Sequence, residues 1–304
     1  MTERPPVILF VPGIRAKPPP EQQQEQLRRC LEAALLRQGI ARANDLASQL
    51  HVVGWSYAFY GAHDSIAPDM PAIEQLVSGA GDPDGDREEA EGIGSRLVAV
   101  MYAIGDRFPV LSSLFATRRM EARMQEINRY FRNRDDHRTT ICELLKQSLR
   151  EAWADEREII LIGHSFGSVI AYDTLWELTH EEPEGSAQKV DLFISMGSPL
   201  TMNYVRRRLH GAARRGHERY PCNIRHWLNL AAIGEVTALD RRMAQCFGEM
   251  LSLGVVESIR DNLGVLARYR NEEGLNVHKC YGYMASDTVA EVIASAAARF
   301  SPEA

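Results

Sequence analysis

The sequence predicts an α/β domain, a mostly parallel sheet flanked by helices, and three observations lead there. Short apolar runs rich in Val and Ile (Val7-Ile-Leu-Phe-Val11, Ile159-Ile-Leu-Ile162 and Val190-Asp-Leu-Phe-Ile-Ser-Met196) have the length and β-branching of strands buried on both faces. Segments with apolar residues at helical spacing, such as Leu27, Cys30, Leu31 and Ala34, alternate with these runs, as βαβ units require. The chain of 304 residues is 45% hydrophobic, enough for one large domain covering 1–304.

Taken in order, the first strand is stopped by Pro12-Gly13, and Pro18, Pro19 and Pro20 keep the segment after it irregular. This is a loop at the C-terminal end of a strand, the edge of an open parallel sheet where ligands bind. The backbone N–H of Ile14 in such a loop can face a substrate oxygen, against the plainer reading of a strand-to-helix connection. Glu21 to Gln38 reads as a surface helix, stopped by Gly39. Leu50 to Trp55 is a second strand, followed at the same edge by Ser56-Tyr-Ala-Phe-Tyr60. Trp55 and Tyr57 are candidates for substrate contact there, with an aromatic core as the alternative.

From Gly61 to Arg134 the alternation stops, and residues 61–134 read as a helical insertion. Ser78 to Glu91 is poor in apolar residues and rich in Gly and Asp, the composition of a mobile loop. Beyond it, Leu97, Val98, Met101, Ile104 and Phe108 form one apolar stripe, and Met120, Met124, Ile127, Tyr130 and Phe131 another. An insertion in this place can cover a site as a cap, with Met101 and Ile104 receiving an irregular acyl chain. The alternative is that both stripes pack as core. His137 to Trp153 is then the crossover helix leading into the Ile159 strand.

That strand runs into Gly163-His-Ser165-Phe-Gly167 and then a helix opened by Val169, Ile170, Asp173 and Leu175. A serine on so sharp a strand-to-helix turn is lifted above the sheet, and the neighbours two residues either side must be small because helix and strand almost touch. The next N–H, that of Phe166, is placed as an oxyanion donor. Ser198 sits before a proline and lacks the second glycine, so it reads as a turn residue. A strand over Asn223 to Leu230 is followed by a loop with two acids, Glu235 and Asp240. His278 precedes a terminal helix carrying Val289, Val292, Ile293 and Ala296 on one face. A serine hydroxyl needs a base to take its proton and an acid to orient that base. Ser165, then Glu235 or Asp240, then His278 supplies them in the order Ser…acid…His. His164 adjoins the nucleophile in sequence but faces away from it, a framework residue.

Composition narrows the partners. A net charge of −6 gives no general basic field for nucleic acid. The arginines at 118, 119, 123, 129, 132 and 134 are interleaved with acids, as on a solvated helix face, the alternative being an anionic or membrane surface in peripheral contact. Five scattered cysteines with no Cys-x-x-Cys suggest reduced thiols and not a metal site, and no cofactor is expected. The N-terminus has no basic and apolar leader, and the apolar window Leu97 to Leu114 is broken by Asp106, Arg107 and Pro109. Both features read as cytoplasmic without a membrane span.

Ile160-Leu-Ile-Gly-His-Ser-Phe-Gly-Ser-Val-Ile-Ala-Tyr172, Gly197-Ser-Pro-Leu200, Trp227-Leu-Asn229 and Asn276-Val-His-Lys-Cys-Tyr281 together resemble the lipase-like serine esterases of the α/β-hydrolase superfamily. The similarity is to bacterial relatives of the GPI inositol-deacylase and lecithin:cholesterol acyltransferase families. It covers about two thirds of the chain, excludes the insertion, and implies a carboxylic ester hydrolase with a lipid among its candidate substrates. By register to Trp227 and Asn229 it places the acid at Glu235, with Asp240 as runner-up. Two departures stand out. Pro12 replaces the histidine of a His-Gly oxyanion segment, and Gly234-Glu-Val-Thr237 replaces an aspartate followed by Pro-Val. An acyltransferase on the same triad and a non-catalytic binding protein on the same fold are the competing readings.

If the insertion is a cap, Met101→Ser with Ile104→Ser lowers kcat/KM for long-chain esters several-fold to tens-fold, about 1–3 kcal/mol of lost pocket contacts, and spares acetate esters. Chain-length profiles and thermal midpoints of this double variant decide. An unchanged profile with a large fall in midpoint makes the stripe core.

Overall fold

The computed structural model describes residues 4–92, 118–182, 187–235 and 242–299, and for residues 118–123 the backbone alone. Six strands form the central sheet: β1 (Val7–Val11), β2 (Leu50–Val52), β3 (Ile159–His164), β4 (Val190–Met196), β5 (Ile224–Ala232) and β6 (Ser258–Val265). All neighbours are parallel, in the order β2-β1-β3-β4-β5-β6. A small antiparallel pair, β7 (Arg270–Asn271) and β8 (Gly274–Leu275), stands apart from it. Ahead of β3 come α1 (Pro20–Arg37), α2 (Ala43–Ser48), α3 (Ser56–Tyr60), α4 (Met70–Ser78), α5 (Pro83–Glu91), α6 (Arg118–Phe131) and α7 (His137–Ala154). After it come α8 (Gly167–Glu181), α9 (Asn203–Arg206), α10 (Met243–Cys246), α11 (Gly248–Ser252), α12 (Cys280–Met284) and α13 (Asp287–Arg299).

Because successive strand side chains point to opposite faces, the sheet sorts its apolar residues into two cores. Leu9, Leu161, Phe193, Trp227 and Ile259 lie in register across five strands and pack with Leu145 and Leu149 of α7 and Val169 and Leu175 of α8. On the other face Phe10, Ile162 and Ile194 meet Leu27 and Leu31 of α1, Ile73 of α4 and Val289 and Ile293 of α13. The parallel strands are thus covered on both sides, which is why they read as continuous apolar runs.

Two elements differ from the sequence expectation. Ser78 to Glu91 is not a loop throughout. α5 occupies Pro83–Glu91, and the Asp82 side chain accepts from the Gly85 N–H at 3.1 Å. Asp82 as cap, Pro83 in the first turn, and Asp84 and Asp86 beside the positive end of the helix outweigh the poor apolar content. β6 was not expected at all. Its Arg260, Asn262, Leu263 and Gly264 are exposed on the sheet's last strand, so its sequence lacks the apolar run of a central strand.

The second stripe of the insertion is only partly core. Tyr130 is buried, Ile127 and Phe131 pack against the core beside α8, and Met124 is 37% exposed. Tyr130 donates to Asp173 of α8 at 3.1 Å, and Arg138 of α7 ion-pairs with the same carboxylate at 2.7 Å, so a buried charge is matched within the helix layer. Met101, Ile104 and the rest of the first stripe lie outside the described residues. No helix among the described residues is long and apolar enough to cross a membrane, and the five cysteines are free thiols.

At the junction of β1, β3 and α8 a Cβ on Gly167 would lie 2.1 Å from the Val11 carbonyl oxygen and 2.7 Å from that of Pro12. Backbone atoms cannot yield as a side chain would. Gly167→Ala is therefore expected to cost about 3 kcal/mol or more through forced backbone shifts, read as a lower denaturant midpoint. An unchanged midpoint would show that the contact is slack.

Candidate active site

β1 is flanked by β2 on one side and β3 on the other, so the chain order reverses between β1 and β3. In open parallel sheets the crevice outside the C-terminal ends of two such strands is where ligands bind. Here those ends carry Pro12-Gly13-Ile14 and Ser165. Ser165 has φ +53°, in the left-handed region where a side chain costs about 1–3 kcal/mol unless the surroundings hold it. They do. Its N–H donates to the Met196 carbonyl at 2.8 Å, and its own carbonyl accepts from Ser168 Oγ at 2.6 Å. A Cβ on Gly163 would sit 2.5 Å from Ser168 Cα, and one on Gly13 2.8 Å from Ser165 Cβ, so glycine is needed at both positions.

The expected residues meet at this turn. Ser165 Oγ is 2.9 Å from His278 Nε2, and His278 Nδ1 is 3.0 Å from both Glu235 oxygens. An Nδ1–H donating to Glu235 leaves Nε2 as the acceptor for the serine proton. The Glu235 side chain is 3% exposed against 34% for His278, so the carboxylate is shielded and the imidazole stands at the opening. Asp240, the other acid considered, lies outside the described residues.

Several residues that sequence reasoning missed hold this arrangement. Tyr283 Oη donates to Glu235 at 3.1 Å and accepts from the Ala232 N–H at 2.7 Å, which fixes the carboxylate to the end of β5. Burial, and then the charge of Glu235, push the Tyr283 phenol well up, so it remains a donor. A Cβ on Gly197, at φ +54°, would lie 3.1 Å from both Glu235 Oε2 and His278 Nδ1. α5 braces the same region. Gly234 passes so close that a Cβ would be 2.6 Å from the Ala90 carbonyl, and Arg270 of β7 binds Asp86 at 2.8 Å and Glu89 at 2.6 Å. The turn bearing the acid and the hairpin leading to the histidine therefore share one support. Nothing in the local sequence marked these residues, because each acts through a partner far away in the chain.

His164 lies behind the His278 ring and supports its backbone. Its Nε2–H donates to the His278 carbonyl at 2.8 Å. Burial first, then the neighbouring charges of His278 and Lys17, lower its pKa to about 3, so the ring stays neutral.

Neither the Ile14 nor the Phe166 N–H has an acceptor among the described residues. The Phe166 ring is buried, with its edge or face against Tyr130 at 5.1 Å and Phe131 at 5.8 Å, so α6 packs directly on the residue after the serine. Trp55 is 1% exposed and donates to the Pro12 carbonyl at 2.9 Å, which places it beneath the β1 loop. Tyr57 is 54% exposed and stacks on His63 at 4.8 Å. Among the described residues no group of three His, Cys, Asp or Glu side chains is placed to hold a metal ion. Comparisons with protein-family models, curated proteins and solved structures find no match for this chain.

The neutral, buried His164 makes stability depend on pH with a definite sign. Its folded pKa lies below the unfolded value, so the unfolded chain binds the extra proton and stability is lost as pH falls from 6.5 toward 3. Between pH 7 and 4.5 this one group accounts for a loss of about 2–3 kcal/mol. His164→Gln keeps a donor and removes the titration. Denaturant curves at the two pH values should show a shallower decline for this variant than for wild type.

Proposed function

We propose that the chain is a serine hydrolase of α/β-hydrolase type that cleaves carboxylic esters through an acyl-enzyme, with a lipid ester among its substrates. The observation that carries this is the continuous relay from Ser165 Oγ through both nitrogens of His278 to Glu235, with spacings of 2.9 and 3.0 Å. The sheet order, the site at its switch point and the left-handed serine support the same reading.

In this mechanism His278 Nε2 takes the Ser165 proton as Oγ bonds to the ester carbonyl carbon. The carbonyl π electrons move onto oxygen, where the Phe166 and Ile14 N–H groups stabilise them. Glu235 keeps the Nδ1 proton in place and offsets the positive charge on the imidazolium. Collapse of the tetrahedral species breaks the ester C–O bond, and Nε2–H protonates the departing alkoxide. Water, deprotonated in turn by Nε2, repeats the sequence on the acyl-serine and releases the acid. A glutamate serves as well as an aspartate, since the role requires only a carboxylate at hydrogen-bond distance from Nδ1.

Wild type is expected to hydrolyse p-nitrophenyl esters and to be labelled at Ser165 by a fluorophosphonate. Ser165→Ala and His278→Ala should each lose on the order of 10⁴-fold or more in kcat, the double variant no more than either alone, and Glu235→Gln less than either. Labelling that survives in Ser165→Ala would end this reading.

A further inference from the structure

The loop after β1 carries an arrangement that the triad does not explain. The peptide joining Gly13 to Ile14, whose N–H is a candidate oxyanion donor, sits between two peptides that are each held by side chains. On one side the Pro12 carbonyl accepts from Trp55 Nε1 at 2.9 Å. On the other, the peptide joining Ile14 to Arg15 is held at both ends. Its carbonyl accepts from Lys17 Nζ at 3.2 Å, and its N–H donates to Tyr60 Oη at 2.7 Å. Beyond these, the Asp64 N–H donates to the Lys17 carbonyl at 2.9 Å, which ties the loop to the segment after α3. Arg15 itself is at φ +94°, a conformation that a non-glycine residue keeps only where its surroundings enforce it.

We propose that Lys17 and Tyr60 are positioning residues which fix the Ile14 N–H as an oxyanion donor before substrate arrives. The proposal rests on the serine-hydrolase reading and adds residues that contact neither substrate nor triad. A donor held in advance needs no reorganisation as charge develops on the carbonyl oxygen, and misplacing such a group by a fraction of an ångström is costly in rate. Tyr60 suits this task because burial pushes the phenol's ionisation up, outweighing the opposing bond from the Arg15 N–H, and the Glu126 carboxylate of α6 adds to the rise, so it stays a hydroxyl. The clamp therefore reaches from the β1 loop through Tyr60 to the insertion.

Lys17 brings a pH dependence with it. Burial pulls its ammonium down to about 8. Lys279 beside the catalytic histidine and Arg15 in its own loop act in the same direction, while Cys280 and Asp69 oppose. His164 also feels its charge. Above that pH the donor to the Ile14 carbonyl becomes a neutral amine, and a charge-assisted bond gives way to a weaker one.

The test uses Tyr60→Phe and Lys17→Met, with p-nitrophenyl butyrate turnover and the rate of fluorophosphonate labelling at Ser165 as readouts. In both variants kcat should fall roughly ten- to hundredfold with KM within about twofold. The labelling rate should fall in parallel, because phosphonylation uses the same donor. Wild-type kcat should also decline above pH 8, and that alkaline limb should be missing in Lys17→Met. Labelling of both variants at the wild-type rate, a loss confined to KM, or an alkaline limb unchanged in Lys17→Met would overturn the proposal while leaving the triad standing. Wild type that is neither labelled nor active would overturn the hydrolase reading, and the clamp with it. If Lys17→Met does not fold, Tyr60→Phe decides alone, since it removes a single oxygen.

Discussion

A serine held in the left-handed region between a strand and a helix constrains everything within a few ångströms of it. The turn at Ser165 brings α8 so near to β1 and β3 that Gly163, Gly167 and Gly13 have no room for a methyl group. The same closeness puts the Gly13–Ile14 peptide beside the serine and lets β4 receive the Ser165 N–H. Strain of this kind persists only where the surrounding packing over-determines it. The two apolar cores on either face of β1 and β3 supply that packing, with their central side chains fully buried. The rigid sheet and the strained turn are therefore parts of one arrangement.

The second demand is electrostatic. Glu235 is almost wholly withdrawn from water, and an ionised carboxylate there is tolerable only with its hydrogen bonds supplied. His278 and Tyr283 supply them, and Tyr283 is in turn anchored to the backbone of β5. The shielding also orients the ring, because a carboxylate whose partners are fixed holds the imidazole in one tautomer and one orientation. Behind the imidazole, the neutral His164 ring bonds the His278 backbone without adding a charge.

The insertion takes part in both. α5 carries the support for Gly234 and Arg270, while α6 places Tyr130 and Phe131 against Phe166. These contacts make the described parts of the insertion a structural neighbour of Ser165 and of Glu235.

The sequence by itself determined what short-range periodicity can encode. The β1, β3 and β4 runs, the helices α1, α7 and α13, and the strand-turn-helix around Ser165 were legible because a strand buried on both faces must be apolar throughout, and a sheet-covering helix must be apolar at every third or fourth residue. The polar last strand β6 and the acidic helix α5 were not, since the first has too few buried positions and the second draws its stability from its cap and its salt links. Candidate triad members could be named from type and order. Only the tertiary structure brought His278 to Glu235 across 43 residues and to Ser165 across 113, and only it showed Tyr283 bonded to Glu235 across 48 and Tyr60 to the Arg15 N–H across 45. The physical reason is common to all of these. Each depends on a contact between segments remote in the chain, and such a contact leaves no periodic mark on either segment.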